Sequence, residues 1–514
     1  MKKILSFLVY ALLFSIIPII SFLYIFNQDT ETIVEPLPLQ VAVTNEQFTN
    51  YPDNPIIQLR NSFFNKDFNK LNTTLKNLDI SFENKSKDEK SLIDSYYIFD
   101  MRDKSYEQLF NLWIEKTPTA YTAYLARAIY YYNMAWLERG GAYANKTKIE
   151  QFEKMSEYMK KAKEDLETSI GLNKKTYIYY LLYIRIYNTI GEDNLIKQTF
   201  DESISIYPES FYLRKAYMLT LIPRWGGSYE QMQYYINTIE PLIHKNPKLK
   251  PLSAAILIDK ASLASLSSRY EISNELLKEA LNLTKKYPLI YFRIGRNLYW
   301  LKKYDEALEY INKAISMDKY NQDYFRYRAK IYAKIGDFEN AKEDIFYAYA
   351  LNPSKKAVKD DRNYISRVMY TKARELREKY NSDEALKLLL SALEVDENNS
   401  YIYNSLARIY MDRLELSTAY SYCLDAIDKN PNEINHYLVM DFILAKENKW
   451  DLIIMYWSRF IDLNSDNARA YLERSGAYYH KGDYKNAVKD AKKSMQLGNE
   501  KGKEIYHKYK HLAE

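Results

Sequence analysis

The stretch KKYDEALEYINKAISMDKYN, residues 302–321, decides the fold, because its pattern returns further along the chain. In IGDFENAKEDIFYAYALNPS, residues 335–354, an aromatic residue again stands three positions before an alanine. The two alanines, Ala307 and Ala341, lie 34 residues apart. A fixed period between about 20 and 50 residues is typical of proteins that stack similar helical units. The sequence therefore predicts an all-α solenoid.

The 34-residue period extends in both directions from this pair. The interval between Ala341 and Ala385 is ten residues longer than the period, and the intervals after it are again 34 residues. The positions in register, which we call the register positions, are Ser273, Ala307, Ala341, Ala385, Ala419, Ile453 and Ala487. Small side chains there allow the two helices of a pair to approach closely. Ser273 and Ile453 depart from the pattern, so their repeats rest on the spacing alone.

This pattern resembles the tetratricopeptide repeat family over residues 251–499. The resemblance implies a right-handed superhelical α-solenoid of helix-turn-helix repeats, in which Gly336 and Gly482 close turns between paired helices. It also implies that the first helix of each pair lines a concave face. The polar stretch at residues 500–514 is typical of the cap helix that a repeat array needs for solubility.

One column of the repeat carries positive charge on the predicted concave face. Counting the register position as 20, position 9 is basic in four successive repeats: Arg296, Lys330, Arg374 and Arg408. Three aromatic residues lie on the same predicted helix as the first of these: Phe292, Tyr299 and Trp300. This arrangement is either a solvated helix face or a groove for an acidic segment of a partner.

The region before the repeats, residues 56–250, has helical apolar spacing but no fixed period. Two segments in it are distinctive. One is a tryptophan closely followed by Arg-Gly-Gly: Trp136, Arg139, Gly140 and Gly141. The other is PRWGGS, from Pro223 to Ser228. With the helices around them, these segments resemble the uncharacterised bacterial domain of unknown function 4034, a resemblance that implies no particular activity.

The PRWGGS segment is typical of a rigid turn between two helices. Proline disfavours helix at the residue before it, and Gly226 and Gly227 allow positive φ. Trp225 can cover the helix ends as an apolar anchor. Ser228 and Gln231 fit the capping box that starts a helix. The alternative is a loop whose N–H groups bind an anion or a partner.

The N-terminus carries an uncharged apolar run from Ile4 to Phe26, preceded by two lysines. At about 1.5 Å per residue this run can span a hydrocarbon core of about 30 Å, and no small-residue cleavage site follows it. We therefore predict an uncleaved membrane anchor over residues 1–27 rather than a signal peptide. Because no Lys or Arg occurs between this run and Arg60, the N-terminus should be cytoplasmic and the body outside. Residues 28–55 form an extended linker.

Composition and motifs argue against several function classes. The net charge is +6 over 514 residues, with bases and acids interspersed, which argues against a nucleic-acid partner. The single cysteine, Cys423, cannot form an intrachain disulfide. The usual nucleotide-binding, zinc-protease, serine-hydrolase and EF-hand motifs do not occur. His507 and His511 have a metal-like spacing but stand among lysines, so we predict neither a metal site nor a cofactor.

These observations predict a protein without catalytic activity, anchored in a bacterial cytoplasmic membrane, that binds other envelope proteins as a scaffold. Its partners would be proteins or peptides, among them acidic segments. The alternative is an enzyme or a small-ligand sensor with a site near Arg139 and the Trp225 loop. This alternative requires Arg139, Trp225 and several acids to meet in a closed cavity, whereas the scaffold requires an open groove.

Overall fold

The computed structural model of the chain describes Tyr51, residues 53–142 and residues 146–512. Within these residues there are 25 α-helices and no β-strand. The prediction of an all-α fold is therefore confirmed. The described chain divides into two compact units, one ending at Leu406 and the other beginning at Ala407.

The first unit begins with ten helices that precede the repeats. They are α1 (Pro55–Phe64), α2 (Phe68–Glu83), α3 (Glu89–Tyr96), α4 (Glu107–Lys116), α5 (Tyr121–Arg139), α6 (Ile149–Leu172), α7 (Tyr177–Ile190), α8 (Asp193–Ile206), α9 (Phe211–Thr220) and α10 (Tyr229–Lys245). Buried aromatic rings hold the first of them together. Phe63 lies 4.7 Å from Phe110 and 5.6 Å from Phe99, measured between ring centroids. Such clusters stabilise through buried area and edge-to-face geometry.

The repeats of the first unit follow in register with the predicted period. Their helices are α11 (Ala255–Leu266), α12 (Tyr270–Leu283), α13 (Pro288–Trp300), α14 (Tyr304–Met317), α15 (Gln322–Ile335), α16 (Phe338–Leu351), α17 (Lys356–Glu378), α18 (Ser382–Val395) and α19 (Ser400–Asp412), the last of which extends into the second unit. Ala307 is fully buried, and a Cβ added to Gly295 would lie 3.1 Å from its carbonyl oxygen. Small residues therefore do allow close approach within a pair. The ten additional residues lengthen α17 to 23 residues.

Every repeat has a residue with positive φ five positions before its register position. These residues are Ser268, Lys302, Gly336, Tyr380, Leu414, Asn448 and Gly482. The left-handed conformation ends the first helix and reverses the chain into the second. Five of the seven are not glycine, although a non-glycine residue in this conformation costs of order 1 kcal/mol or more. The two repeats with atypical register residues, Ser273 and Ile453, therefore have the same turn as the others.

The second unit contains α20 (Leu416–Lys429), α21 (Ile434–Lys446), α22 (Trp450–Leu463), α23 (Ala468–Lys481), α24 (Tyr484–Gln496) and α25 (Glu500–Tyr509). Helix α25 lies where the sequence predicts a cap helix. Cys423 is buried in the core of this unit, where its thiol donates to the carbonyl oxygen of His436 at 3.1 Å. Burial raises the pKa of the Cys423 thiol to about 12, so the cysteine is unreactive at neutral pH.

The predicted membrane anchor and most of the predicted linker lie outside the described residues. Among the helices that are described, none is both long and apolar enough to cross a membrane.

One buried carboxylate in the first unit makes its stability depend on pH. Asp79 of α2 is 5% exposed and accepts hydrogen bonds from the hydroxyls of Tyr96 (3.0 Å) and Tyr121 (2.8 Å). Burial nevertheless raises the pKa of Asp79 from 3.8 to about 6. A carboxyl with a higher pKa in the folded state binds its proton more tightly when folded. The free energy of unfolding therefore falls as the pH rises between these two values.

We predict that Asp79→Asn becomes more stable relative to the unchanged protein as the pH is raised from about 5 to about 7.5. The gain should be about 1–1.5 kcal/mol, because about one pH unit separates pH 5 from the raised pKa of Asp79 and asparagine accepts hydrogen bonds without an ionised group to bury. Urea unfolding at the two pH values measures it. A stability difference that is the same at both would contradict the assignment.

Candidate binding groove

A cavity of about 1910 Å³ lies within the first unit. One of its walls is a face of α3 that presents Glu89, Lys90, Ile93 and Asp94, followed by Tyr97. Much of the rest of its lining comes from α7, α9, the PRWGGS loop and the segments that precede α11, α13 and α15. Tyr97 is 48% exposed although helices surround it, because its ring faces this space. The cavity is open to solvent, and we call it the binding groove.

Glu89 connects α3 with two other helices that line the binding groove. Its carboxylate accepts hydrogen bonds from Tyr177 Oη and Ser210 Oγ, each at 2.7 Å, and from the backbone N–H groups of Phe211 (2.9 Å) and Tyr212 (3.5 Å). Ser210 is the N-cap of α9, and its side chain also accepts from the N–H of a residue in the first turn of that helix. A carboxylate at a helix N-terminus is stabilised by unsatisfied N–H groups and by the helix dipole. Glu89 thus holds α3 against α7 and α9.

A second polar connection crosses the binding groove. Lys90 Nζ lies 2.6 Å from the carboxylate of Asp94, one turn away on α3, and 3.1 Å from Asp318, which precedes α15. Burial raises the pKa of Asp94 to about 6, despite the neighbouring ammonium group. The charges of Lys90, Asp94 and Asp318 are therefore largely satisfied by one another.

The PRWGGS segment is a turn, as predicted, and it also contributes to the groove. Residues 223–225 form one 3-10 turn, and Gly226 follows with φ of 93°. Ser228 caps α10, its Oγ accepting from the N–H of Gln231 at 3.2 Å. Arg224 anchors the loop through an ion pair of 2.8 Å with Asp259 on α11. The turn places Trp225, 42% exposed, at the edge of the binding groove.

Gly227 is needed for a different reason from the predicted one. Its φ is not positive, but an added Cβ would lie 2.2 Å from the backbone oxygen of Leu221. Only a residue without a side chain allows this approach of the two backbone segments. The prediction of positive φ is therefore confirmed at Gly226 and wrong at Gly227.

The two distinctive segments meet at a pair of tryptophans. Trp136 and Trp225 pack edge to face with ring centroids 5.7 Å apart, and both line the binding groove. Arg139 does not line it. Its guanidinium lies over the ring of Trp136 (5.5 Å) and donates to the carbonyl oxygen of Ala142 (2.9 Å). The Arg-Gly-Gly segment thus ends α5, with φ of 75° at Gly140, followed by Gly141 in a bend.

The predicted basic column is not a continuous line of accessible charge. Lys330 is 9% exposed, 3.3 Å from Asp361, and close to the rings of Tyr299 (5.1 Å) and Tyr327 (4.6 Å). Asp361 belongs to the segment that lengthens α17, and it also pairs with Arg326 at 2.8 Å. Lys330 is therefore packed between helices and is not part of an accessible line of charge.

The other residues of this predicted site have separate surroundings. Phe292 and Tyr299 are buried, at 7% and 6% exposure, and belong to the core of α13 rather than to an open groove. Trp300 is 49% exposed, Arg296 donates to Ser265 Oγ at 3.3 Å, and Arg374 lies 3.7 Å from Glu378. Arg408 is half-buried and lies in the second unit. A partner-binding role for Arg296, Arg374, Arg408 and Trp300 stays a prediction.

Several residues of the binding groove have no signal in the sequence. Glu89, Lys90, Arg60 and Gln322 lie on α1, α3 and α15 and come together only through tertiary packing. None belongs to a motif or a repeat column. The tryptophans were detectable because they stand in distinctive segments.

Comparison with known proteins identifies two regions of the chain. A family model described as tetratricopeptide repeat matches residues 288–321, and one described as domain of unknown function 4034 matches residues 199–242. A TPR repeat-containing protein of Methanocaldococcus jannaschii is 30% identical over 194 residues, which cover 35% of this chain and 33% of that protein. This chain thus spans about a third of that relative's length. The tetratricopeptide repeat match lies within the predicted repeat array, and the other match lies within the region that precedes it.

Solved structures similar to this chain are also repeat proteins. The C-terminal part of a TPR repeat-containing protein from Cytophaga hutchinsonii is 19% identical, with 48% of this chain and 98% of that chain covered and a TM-score of 0.33. A tetratricopeptide repeat protein from Parabacteroides merdae is 20% identical, with coverages of 50% and 98% and a TM-score of 0.26.

Replacing Gly227 with alanine should lower the free energy of unfolding by about 1–3 kcal/mol, because the backbone of Leu221 cannot move away as a side chain could. Gly141→Ala is the matched control, since Gly141 has an ordinary φ and nothing within 4 Å of an added Cβ. Urea unfolding followed by circular dichroism measures both variants. Equal midpoints for the two would show that the loop does not need this glycine.

Proposed function

We propose that this chain is a protein-binding scaffold without catalytic activity, and that a segment of a partner protein lies in the binding groove. The observation that carries the proposal is the size of the cavity, about 1910 Å³. Pockets for small molecules are typically about 300–1,000 Å³ and enclose most of their ligand. A space of this size, open to solvent and bounded by many helices, fits an extended or helical polypeptide segment better than a metabolite.

The side chains of the binding groove also favour binding over chemistry. Charged groups alternate there with Tyr and Trp rings, a mixture that is common in protein interfaces. No histidine or cysteine is among its described lining residues, and the lining hydroxyl of Ser210 is bonded to Glu89 and Tyr177 rather than to a catalytic base. Within the described residues, no group of three His, Cys, Asp or Glu side chains could hold a metal ion. These features support the scaffold hypothesis.

We further propose that the scaffold is held in a bacterial cell envelope by a membrane-spanning helix over residues 4–26. The support is the uncharged run of 23 residues with two lysines before it and no basic residue between it and Arg60. In this arrangement the binding groove would face the extracytoplasmic space, where its partners would be other envelope proteins.

A small-ligand sensor is the second candidate function. The observation in its favour is the tryptophan pair, since the buried indole nitrogen of Trp136 has no hydrogen-bond partner among the described residues. Trp225 offers an exposed ring beside it. A small aromatic or amphipathic ligand that accepts a hydrogen bond could use both groups.

Photo-crosslinking in intact envelopes tests the scaffold against the sensor. We expect a photoreactive amino acid at Leu219, a groove residue that is 46% exposed, to crosslink the full chain to a polypeptide. The matched control is Ile272, which is 45% exposed on α12 and does not line the groove. Equal crosslinking at both positions would contradict the scaffold. A small molecule of constant mass bound to the purified chain in native mass spectrometry, without a polypeptide adduct, would favour the sensor.

Fractionation tests the membrane anchor separately. The mature chain should begin at its initiator region and should stay with the membrane pellet after a high-salt wash, because an apolar span is not released by ionic screening. N-terminal mass spectrometry of the extracted protein gives the first residue. A mature N-terminus near residue 27 would show that the run is a cleaved signal.

A further inference from the structure

The charged residues of the binding groove are unevenly neutralised. Nine basic and seven acidic side chains line it. Six of the acids already accept hydrogen bonds or ion pairs from neighbouring groups, as Glu89 and Asp94 do. Those six are Glu83, Asp88, Glu89, Asp94, Asp318 and Asp323. Four of these six acids are ion-paired, whereas Asp88 and Glu89 accept hydrogen bonds from neutral groups and keep their negative charge.

Most of the basic residues of the groove have no such partner. No carboxylate of the described residues lies within 4.0 Å of six of them: Lys85, Lys87, Arg185, Lys215, Lys248 and Lys286. Arg185, Lys248 and Lys286 are exposed, and Lys215 lies over the rings of Tyr212 and Tyr287. With nine bases and seven acids the lining has a small net positive charge, and the six bases without an ion pair are available to carboxylates of a bound segment.

Two further groups lie deeper and are unsatisfied. Arg60 of α1 is 1% exposed, and its Nη1 donates to the carbonyl oxygen of Ala350 at 3.0 Å, but its Nε has no partner among the described residues. The nearby Asp100 pairs with Arg102 instead, at 3.3 Å. Gln322, 5% exposed at the start of α15, has no partner within the described chain for either atom of its amide. Both residues line the binding groove.

Burying a guanidinium without a carboxylate is costly, because the loss of hydration is not compensated by an opposite charge. Burial lowers the pKa of Arg60 to about 9, and the charge of the nearby Asp100 offsets only part of this shift. An anion bound beside Arg60 would supply the missing charge, and the amide nitrogen of Gln322, which lines the same cavity, is a further donor without a partner among the described residues.

We propose that Arg60 and Gln322 form an anion subsite of the binding groove, and that it takes a carboxylate from an acidic partner segment that also carries apolar residues. This inference rests on the proposed function and names the chemistry of the partner. Arg185, Lys215, Lys248 and Lys286 pair with further carboxylates along the groove, and Trp136 and Trp225 contact the apolar residues.

A polypeptide fits these features better than a nucleic acid. The lining residues have a small excess of positive charge, whereas nucleic-acid binding depends on neutralising a dense row of phosphates. An acidic peptide carries uncharged apolar residues between its carboxylates, in keeping with the mixture of basic and aromatic side chains in the groove.

The test uses the full chain in detergent and a fluorescein-labelled peptide of alternating glutamate and leucine, with its glutamine counterpart as the uncharged comparison. We expect anisotropy titrations to detect binding of the glutamate peptide that weakens with salt, and much weaker binding of the glutamine peptide. Arg60→Met should weaken binding of the glutamate peptide about 10- to 100-fold. The thermal midpoint of this variant should be unchanged or higher, because an unpaired buried charge is removed.

Two further variants make the result independent of the folding of Arg60→Met. Gln322→Leu should weaken binding of the glutamate peptide without lowering the thermal midpoint of the protein. Changing Lys215, Lys248 and Lys286 together to serine should weaken binding of the glutamate peptide and reduce the salt dependence of that binding. The control changes three exposed lysines outside the groove, Lys154, Lys278 and Lys313, to serine and should leave affinity unaltered.

Several outcomes would overturn the inference. Unaltered affinity in Arg60→Met or Gln322→Leu would do so, as would loss of affinity that is accompanied by a lower thermal midpoint. Equal binding of the glutamine peptide, or of a single-stranded oligonucleotide, would contradict the acidic peptide as occupant. If neither peptide binds while Leu219 still crosslinks to a polypeptide, the acidic preference is wrong and the scaffold stands. If the crosslink also fails, both proposals fail.

Discussion

The carboxylate of Glu89 holds the binding groove in shape. It accepts four hydrogen bonds, from two hydroxyls and two backbone N–H groups at the start of α9, and so holds α3 against α7 and α9. These donors would otherwise need other partners, since polar groups at a buried helix start are costly to leave unsatisfied. The cavity exists because α3 is fixed at this point by polar contacts, while its opposite face packs into the core through Leu92 and Tyr96.

The repeats could be predicted from the sequence because their constraints are local. The register alanine must be small where two helices of a pair meet, and the helices recur at one period. The turn between the two helices of each repeat could be predicted only in part. Gly336 and Gly482 indicate a left-handed residue, but Tyr380 and Leu414 adopt the same conformation without any compositional sign. Packing of the flanking helices imposes that conformation against the preference of these side chains.

The binding groove could not be predicted, because its residues are far apart in sequence and meet only through tertiary packing. The basic column shows how a local argument can mislead. Lys330 stands at a position that should face solvent, but the additional residues of α17 bring Asp361 within 3.3 Å of it. The ten additional residues can be recognised in the sequence. Their supply of a carboxylate to Lys330 in the neighbouring repeat cannot be recognised there. Trp136 and Trp225 could be predicted in part. Their segments are distinctive in the sequence, but the contact between the two rings is not evident there.

Stability and ligand binding favour different arrangements around Arg60 in the binding groove. A structural arginine in a protein interior normally has a carboxylate beside it, because one unpaired buried charge can offset much of a domain's net stability. Arg328 follows that rule with two bonds of 2.7 and 2.8 Å to Asp344, whereas Arg214, which is 3% exposed, has no carboxylate within 4.0 Å among the described residues and an Nε without a partner. Arg60 departs from the rule as Arg214 does, but unlike Arg214 it lines the open cavity, which Gln322, also unsatisfied, lines as well. Unsatisfied polar groups of this kind are expected where a ligand completes the structure, since the ligand supplies the contacts that the fold leaves unmade.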